Sequence, residues 1–261
     1  MKSLSLIAAT AVVLAAGTAQ SRADQAVALV GDKTLVVIDL AKASATKTMQ
    51  VSGVDRLLGI DVRPSNKSLY GVSADGTVVT IDTASGKAKK VAQFETMLPG
   101  KPTWAIVDFN PAADKLRFMG ADGTNLRADV DTGKVTKDGS LAFEQGDMHH
   151  GEKPAIVAAA YINSYSKPEK TAMYDIDATI GALIQQTKPN DGTLKAIGKL
   201  GFEKAKTYAF DVHTSADGKN TAWLVADNSL YTVAIETGKA TMVGKVKGVT
   251  GTIRDIAALA N

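Results

Sequence analysis

The stretch "TIRDIAAL", residues Thr252–Leu259, reads as the opening of a unit that then breaks off. Similar runs recur earlier: "LLGIDVRP" (Leu57–Pro64), "AIVDFNP" (Ala105–Pro111), "IVAAAYIN" (Ile156–Asn163) and "YAFDVHT" (Tyr208–Thr214). Each earlier run is followed by a second strand-like run: "KSLYGVSA", "DKLRFMGA", "TAMYDIDA" and "NTAWLVAD". A third run follows ("TVVTIDTASGK", "NLRADVDTGK", "GALIQQTKPNDG", "SLYTVAIETGK"), and then a more polar fourth ("KAKKVAQF", "KVTKDGSLAF", "TLKAIGKLG", "KATMVGKVK"). Frequent Val and Ile, alternation, and Asp-Gly or Thr-Gly-Lys punctuation are the marks of antiparallel strands and tight turns. No window carries the period of a long amphipathic helix.

The two ends complete each other. "AVALVGD", "TLVVIDLAKAS" and "ATKTMQVSG" near the N-terminus are a second, third and fourth strand without a first. "TIRDIAAL" is a first strand with nothing after it. Pairing them completes one unit and closes a ring, which is how a β-propeller removes its exposed edges. From Asp24 onward the repeat is about 48 residues, near the roughly 40–50 of blade repeats. The expectation is all-β: a five-bladed β-propeller closed by the C-terminal strand on the N-terminal strands. A β-sandwich also has many short strands but does not explain a unit split between the termini.

Residues 1–23 have a different composition. Lys2 is followed by an uncharged run from Ser5 to Gly17, and Ser21 and Ala23 are small residues before Asp24. This is the pattern of a cleaved signal peptide, and the run is too short to span a bilayer, which takes about 20 apolar residues. The expected organisation is a signal peptide, 1–23, and a single propeller domain, 24–261, in the periplasm or the medium. The formal charge of the whole chain is +3, but Lys2 and Arg22 would leave with the signal. No basic run with interleaved aromatics remains, so nucleic acid is excluded as a partner. The absence of cysteine excludes disulfides, thiolate chemistry and Cys-type zinc sites.

The stretches "IDVRPSNKSLYGVSADGTVVTIDTASGKAKKV", "VDFNPAADKLRFMGADGTNLRADVDTGK" and "AAAYINSYSKPEKTAMYDIDATIGALIQQTKPNDGTLKAIGKLG" resemble an exported bacterial family catalogued as a domain of unknown function, family 4394 of that series. The resemblance implies export and a repeated β fold, and it supplies no site.

Aspartates inside the first strands are the leading candidates for chemistry: Asp61, Asp108, Asp211 and Asp255, with Ala160 at the matching place in the third unit. First strands lie nearest a propeller axis, and clustered carboxylates there suit a hard divalent cation, with Asn163 as a further ligand. Their apolar flanks suit a second role, accepting hydrogen bonds from the next blade. Asp32, Asp75, Asp122, Asp177 and Asp227 fall between second and third strands and read as turn chemistry. "QGDMHHGEKP" (Gln145–Pro154) carries His149 and His150, a pair with weak metal-binding character.

Two functions compete. The first is a non-catalytic binding or scaffold protein for a protein, polymer or small ligand. Its expected recognition face carries the longer loops between blades, with Trp104, His149 and His150, and Arg63 as a further contact. The turns "TASGK", "DTGK" and "ETGK" are assigned to the opposite face. The alternative is a metal-dependent hydrolase, of the propeller lactonase or esterase kind, with an axial divalent cation and His213 as proton carrier. No Gly-x-Ser-x-Gly elbow or phosphate loop supports an enzyme of another class.

Overall fold

A computed structural model describes residues 25–259. The expected signal peptide, 1–23, lies outside the described residues. The chain opens with β1 (Gln25–Val30), β2 (Thr34–Asp39) and β3 (Ser44–Gln50). Next come β4 (Leu57–Val62), β5 (Leu69–Ser73), β6 (Thr77–Ile81) and β7 (Ala88–Gln93). They are followed by β8 (Ile106–Asn110), β9 (Lys115–Met119), β10 (Asn125–Ala128) and β11 (Val135–Lys137). A short β12 (Ala142–Phe143) precedes β13 (Ile156–Tyr161), β14 (Met173–Asp177), β15 (Ala182–Lys188) and β16 (Thr193–Lys199). The series ends with β17 (Tyr208–Thr214), β18 (Asn220–Ala226), β19 (Ser229–Val233), β20 (Ala240–Lys245) and β21 (Ile253–Ala258).

These strands form five small sheets, the blades of a five-bladed β-propeller. Blade one has the order β21-β1-β2-β3, so the last strand of the chain is the innermost strand of the first blade. Ala26 lies opposite Ala258, Val27 opposite Ala257 and Ala28 opposite Ile256. Blades two, three, four and five begin on β4, β8, β13 and β17. These inner strands meet around the axis in the closed order β4, β8, β13, β17, β21.

The burial pattern follows from this layout. Inner strands are covered on both sides by neighbouring blades, so β17 is buried at every position. Outer strands face solvent, and β7 and β20 hold mostly exposed positions, with lysines that discourage edge pairing. The apolar clusters lie between blades: Leu58, Tyr70 and Val72 of blade two pack on Phe109 and Phe118 of blade three. Tyr70 meets Phe109 edge-on, with ring centroids 5.3 Å apart.

Two details depart from the expected repeat. "KVTKDGSLAF" is not one outer strand. It divides into β11, in blade three, and β12, which crosses over and pairs parallel with β16 of blade four. Asp138 marks the division, binding Arg117 and Arg127 on blade three just before Gly139 donates to Asn190 O of blade four at 2.9 Å.

The short turns before the outer strands also have a role beyond reversing the chain: they stitch neighbouring blades. Ser52 donates to Gly86 O at 3.0 Å, Glu95 to Gly133 O at 3.0 Å and Lys247 to Ala43 O at 2.9 Å. Gly133 has φ +80°, and a Cβ there would stand 2.0 Å from Gln93 O. The Thr-Gly-Lys signature therefore records a close approach between blades as well as turn geometry.

Candidate functional site at the ring axis

Each inner-strand carboxylate bridges to the next blade. Asp61 accepts from the backbone N–H of Phe109 at 2.6 Å, Asp108 from Tyr161 at 2.9 Å, Asp211 from Ala258 at 2.5 Å and Asp255 from Ile60 at 2.8 Å. Asp61, Asp211 and Asp255 also accept from the N–H of the following residue. The bridging role expected of these residues is thus present.

The bridges also define the levels around the ring. Asp61 and Asp108 reach the residue just after the position level with them, which is Asp108 in one case and Ala160 in the other. By the same rule Asp211, reaching Ala258, is level with Ala257. Asp255, reaching Ile60, is level with Gly59. Asp255 therefore stands two residues from the ring of the other three.

Asp61, Asp108 and Asp211 converge, with one carboxylate oxygen from each lying within 4.8 Å of the others. They line a cavity of about 20 Å³ with Tyr161, Ser164, His213 and Thr214. That is room for one water or ion, since a water takes at least about 10–15 Å³. Burial pushes the carboxyls of Asp61 and Asp108 well up, reinforced by the other acids around the axis. Asp211 is pushed up to about 6 by burial, against two backbone hydrogen bonds. Asp255 is pushed up to about 8, chiefly by burial. Three adjacent carboxylates cannot all be charged there without compensation, and the trio must hold protons or a cation.

The remaining expected site residues are dispersed. Asn163 turns away from the axis: its Oδ1 accepts from Asn220 at 2.9 Å and its Nδ2 donates to Lys170 O at 3.0 Å. Arg63 clamps blade two to blade three, reaching both oxygens of Asp114 and both of Asp131 at 2.7–2.9 Å. His149 lies tilted against Phe143 and within 3.0 Å of Glu152, while His150 lies within 3.1 Å of Phe143 O. Asp147, in the same loop, accepts from Ala196 of β16, which ties the loop to the outer part of blade four. The loop that carries His149 and His150 therefore lies toward the rim of the ring, away from the axial acids.

Trp104 lies in a different depression, at the end of the ring where the interblade loops enter the inner strands. This mouth pocket has a volume of about 170 Å³ and is lined by Trp104, Val157, Ala178, Lys206, Tyr208 and Arg254, among others. Among the described residues, none that lines it carries a carboxylate.

The family described as Domain of unknown function (DUF4394) matches residues 34–257. The chain belongs to this family. No curated protein matches it. Among solved structures, a structural genomics protein of unknown function from Bacteroides thetaiotaomicron is similar, with a TM-score of 0.55 and 17% identity over 93% of this chain. An auxiliary nutrient binding protein from Bacteroides ovatus has a TM-score of 0.50 and 9% identity over 93% of this chain. The chain spans 66% of the first and 60% of the second. At these identities the likeness shows the fold alone.

Sequence reasoning missed two arginines. Arg117, 2% exposed, joins Asn125 and Asp138 of blade three to Tyr161 and Asn190 of blade four. Arg254 precedes Asp255 on the closing strand and reaches the mouth. The available signal for Arg254 was a lone cation inside an inner-strand run.

Proposed function

We propose that this protein is a non-catalytic, exported propeller that binds a ligand at the mouth of its ring, on the side of the interblade loops. The observation that carries this reading is the contrast between two spaces. The acidic cavity has room for a single water or ion, about 20 Å³, whereas the mouth pocket has about 170 Å³ and an apolar wall. A hydrolase working at the axial acids needs room for a substrate carbonyl beside its ion, and the cavity offers little. The nutrient-binding role of the Bacteroides ovatus neighbour is in keeping with a binding propeller. Export rests on the signal-like composition of residues 1–23.

A thermal-shift screen of small metabolites, repeated with Trp104→Ala and Asp61→Asn, tests this reading. Stabilising compounds should lose their effect with Trp104→Ala and keep it with Asp61→Asn. The reverse pattern would move recognition to the axis. Amino-terminal sequencing of protein recovered outside the cytoplasm should begin at Asp24.

A second reading concerns the axis alone and is favoured by the convergence of Asp61, Asp108 and Asp211. One divalent cation there would replace the protons and tie three blades together. Millimolar calcium or magnesium would then raise the melting temperature at pH 8, and Asp108→Asn would abolish the rise. An identical response in both proteins counts against the cation.

A further inference from the structure

We infer that the mouth pocket selects a small, ring-sized molecule carrying one carboxylate, held against Trp104 and paired with Arg254. This rests on the reading of the mouth as the binding site and goes beyond it by naming the class of ligand.

Size comes first. An apolar cavity of roughly 150 Å³ accommodates a benzene-sized molecule, whereas drug-sized sites run from about 300 Å³ upward. At about 170 Å³ the mouth matches a single ring with a short substituent. Trp104, Val157, Ala178 and Tyr208 give this space its apolar and aromatic surface. The Tyr208 hydroxyl already accepts from Ala205 N at 2.8 Å, so the ring is fixed in place.

Charge decides the rest. Arg254 and Lys206 both line the pocket. The Arg254 guanidinium is held by carbonyls from three parts of the ring: Nε donates to Gly31 O at 2.6 Å, Nη1 to Thr103 O at 3.3 Å and Nη2 to Leu57 O at 2.8 Å. These bonds occupy three of the five N–H donors of a guanidinium. Asp255 and Asp32 support the Arg254 charge from a distance but spend their own contacts on other groups, and Asp227 accepts from the backbone N–H groups of Lys206 and Thr207. Asp32 pairs with Arg56 at 2.8 Å, and Asp255 turns its oxygens to the backbone N–H of Ile60 and Ile256. Burial also makes the Arg254 charge less favourable than in water. A half-buried, rigidly held cation with donors to spare gains most from an incoming anion. Thr103 precedes Trp104 in the chain, so one segment positions both the cation and the ring surface.

Calorimetric titration with phenylacetate, phenylacetamide and phenethylamine tests the inference, because the three share a ring and differ in charge. Phenylacetate should bind at least about tenfold more tightly than the amide, the usual scale of a charge-assisted hydrogen bond. Phenethylamine should be the weakest. Trp104→Ala should weaken acid and amide together, and Arg254→Gln should remove the gap between them. Arg254 also joins parts of the ring, so Arg254→Lys serves as a charge-preserving control, and the wild-type comparison needs no variant. Equal binding of acid and amide, lost in Trp104→Ala, would overturn the carboxylate assignment and leave the mouth as the site. Absence of binding by all three would overturn both.

Discussion

The carboxylate of Asp211 accepts a hydrogen bond from the backbone N–H of Ala258, 2.5 Å away on the strand that closes the ring. The bond fastens blade five to blade one at the place where the two ends of the chain complete one sheet. Asp211→Ala should destabilise the fold by about 1–3 kcal/mol, the cost of leaving a buried N–H unpaired. Removing residues from Thr252 onward should destabilise the ring as a whole, since β1 then loses its inner partner. Calorimetry and size-exclusion chromatography would read both effects. An unchanged melting temperature and a monomeric truncated protein would contradict the closed ring.

Gly133→Ala should be far more costly than an ordinary glycine substitution. Its Cβ would stand 2.0 Å from Gln93 O, while a Cβ at Gly123, also at positive φ, would meet nothing within 4 Å. Gly123→Ala isolates the conformational penalty, about 1–2 kcal/mol. Gly133→Ala should exceed it by at least about 2 kcal/mol, because backbone atoms of two blades must separate. Urea unfolding of the two variants measures the difference.

Arg117→Ala should rank among the most damaging single changes. It would leave Asp138, 5% exposed in its side chain, with Arg127 alone, and would remove donors from Asn125, Tyr161 and Asn190. Breaking a buried ion pair from one side costs about 3–5 kcal/mol. Adding Asp138→Asn should recover part of the loss in a double-mutant cycle, and strict additivity would show that the two residues act independently.

Stability should fall on the alkaline side of mild acidity. Burial pushes Asp211 up to about 6, and Asp175 and Asp255 up to about 8. The folded chain therefore keeps protons that the unfolded chain has released. The resulting stabilisation is full below the usual carboxylate range and is lost as pH rises through these values. In the opposite direction, Lys115 holds Asp129 down to about 2, and Arg63 lowers Asp114 and Asp131. Their contribution is lost as pH falls from about 4 toward 2. The melting temperature should thus peak near pH 4–5. Asp175 is fully buried beside Gln186, but neither carboxylate oxygen meets a donor in good hydrogen-bond geometry, and Gln186 Oε1 likewise lacks one. Asp175→Asn supplies an N–H and no charge, and should gain about 1–3 kcal/mol at pH 8 with a smaller gain at pH 5. An equal gain at both pH values would show that Asp175 is already ionised in the folded chain at pH 5, against its raised value.

The ring was legible because its strands repeat and because "TIRDIAAL" lacks the three strands that the other end supplies. The level of Asp255 was not legible. Inward positions recur every second residue, and β21 pairs with β1 through a register irregularity at Leu29/Val30, so aligning aspartates by eye cannot separate adjacent levels. The clamping role of Arg63, which the sequence offered as a recognition contact, and the whole role of Arg117 were hidden for another reason. Their partners Asp131 and Asn190 lie 68 and 73 residues away, beyond any local pattern. His149 and His150 attracted attention as a pair, yet their positions depend on where β12 joins the neighbouring blade.

Between blades four and five the level occupied by Asp61 and Asp108 in the preceding blades belongs to Ala160, and the fastening there is uncharged. Asn163 N donates to Asn220 Oδ1 at 3.0 Å, Ser164 N to Thr214 Oγ1 at 2.8 Å, and Ser164 Oγ to Val212 O at 3.1 Å. Four seams of the ring are therefore fastened by carboxylates at their inner edge, while the bonds named at the fifth involve none. A ring made in this way has a built-in order of failure under alkali: blades four and five should stay together as a pair after the other seams have loosened.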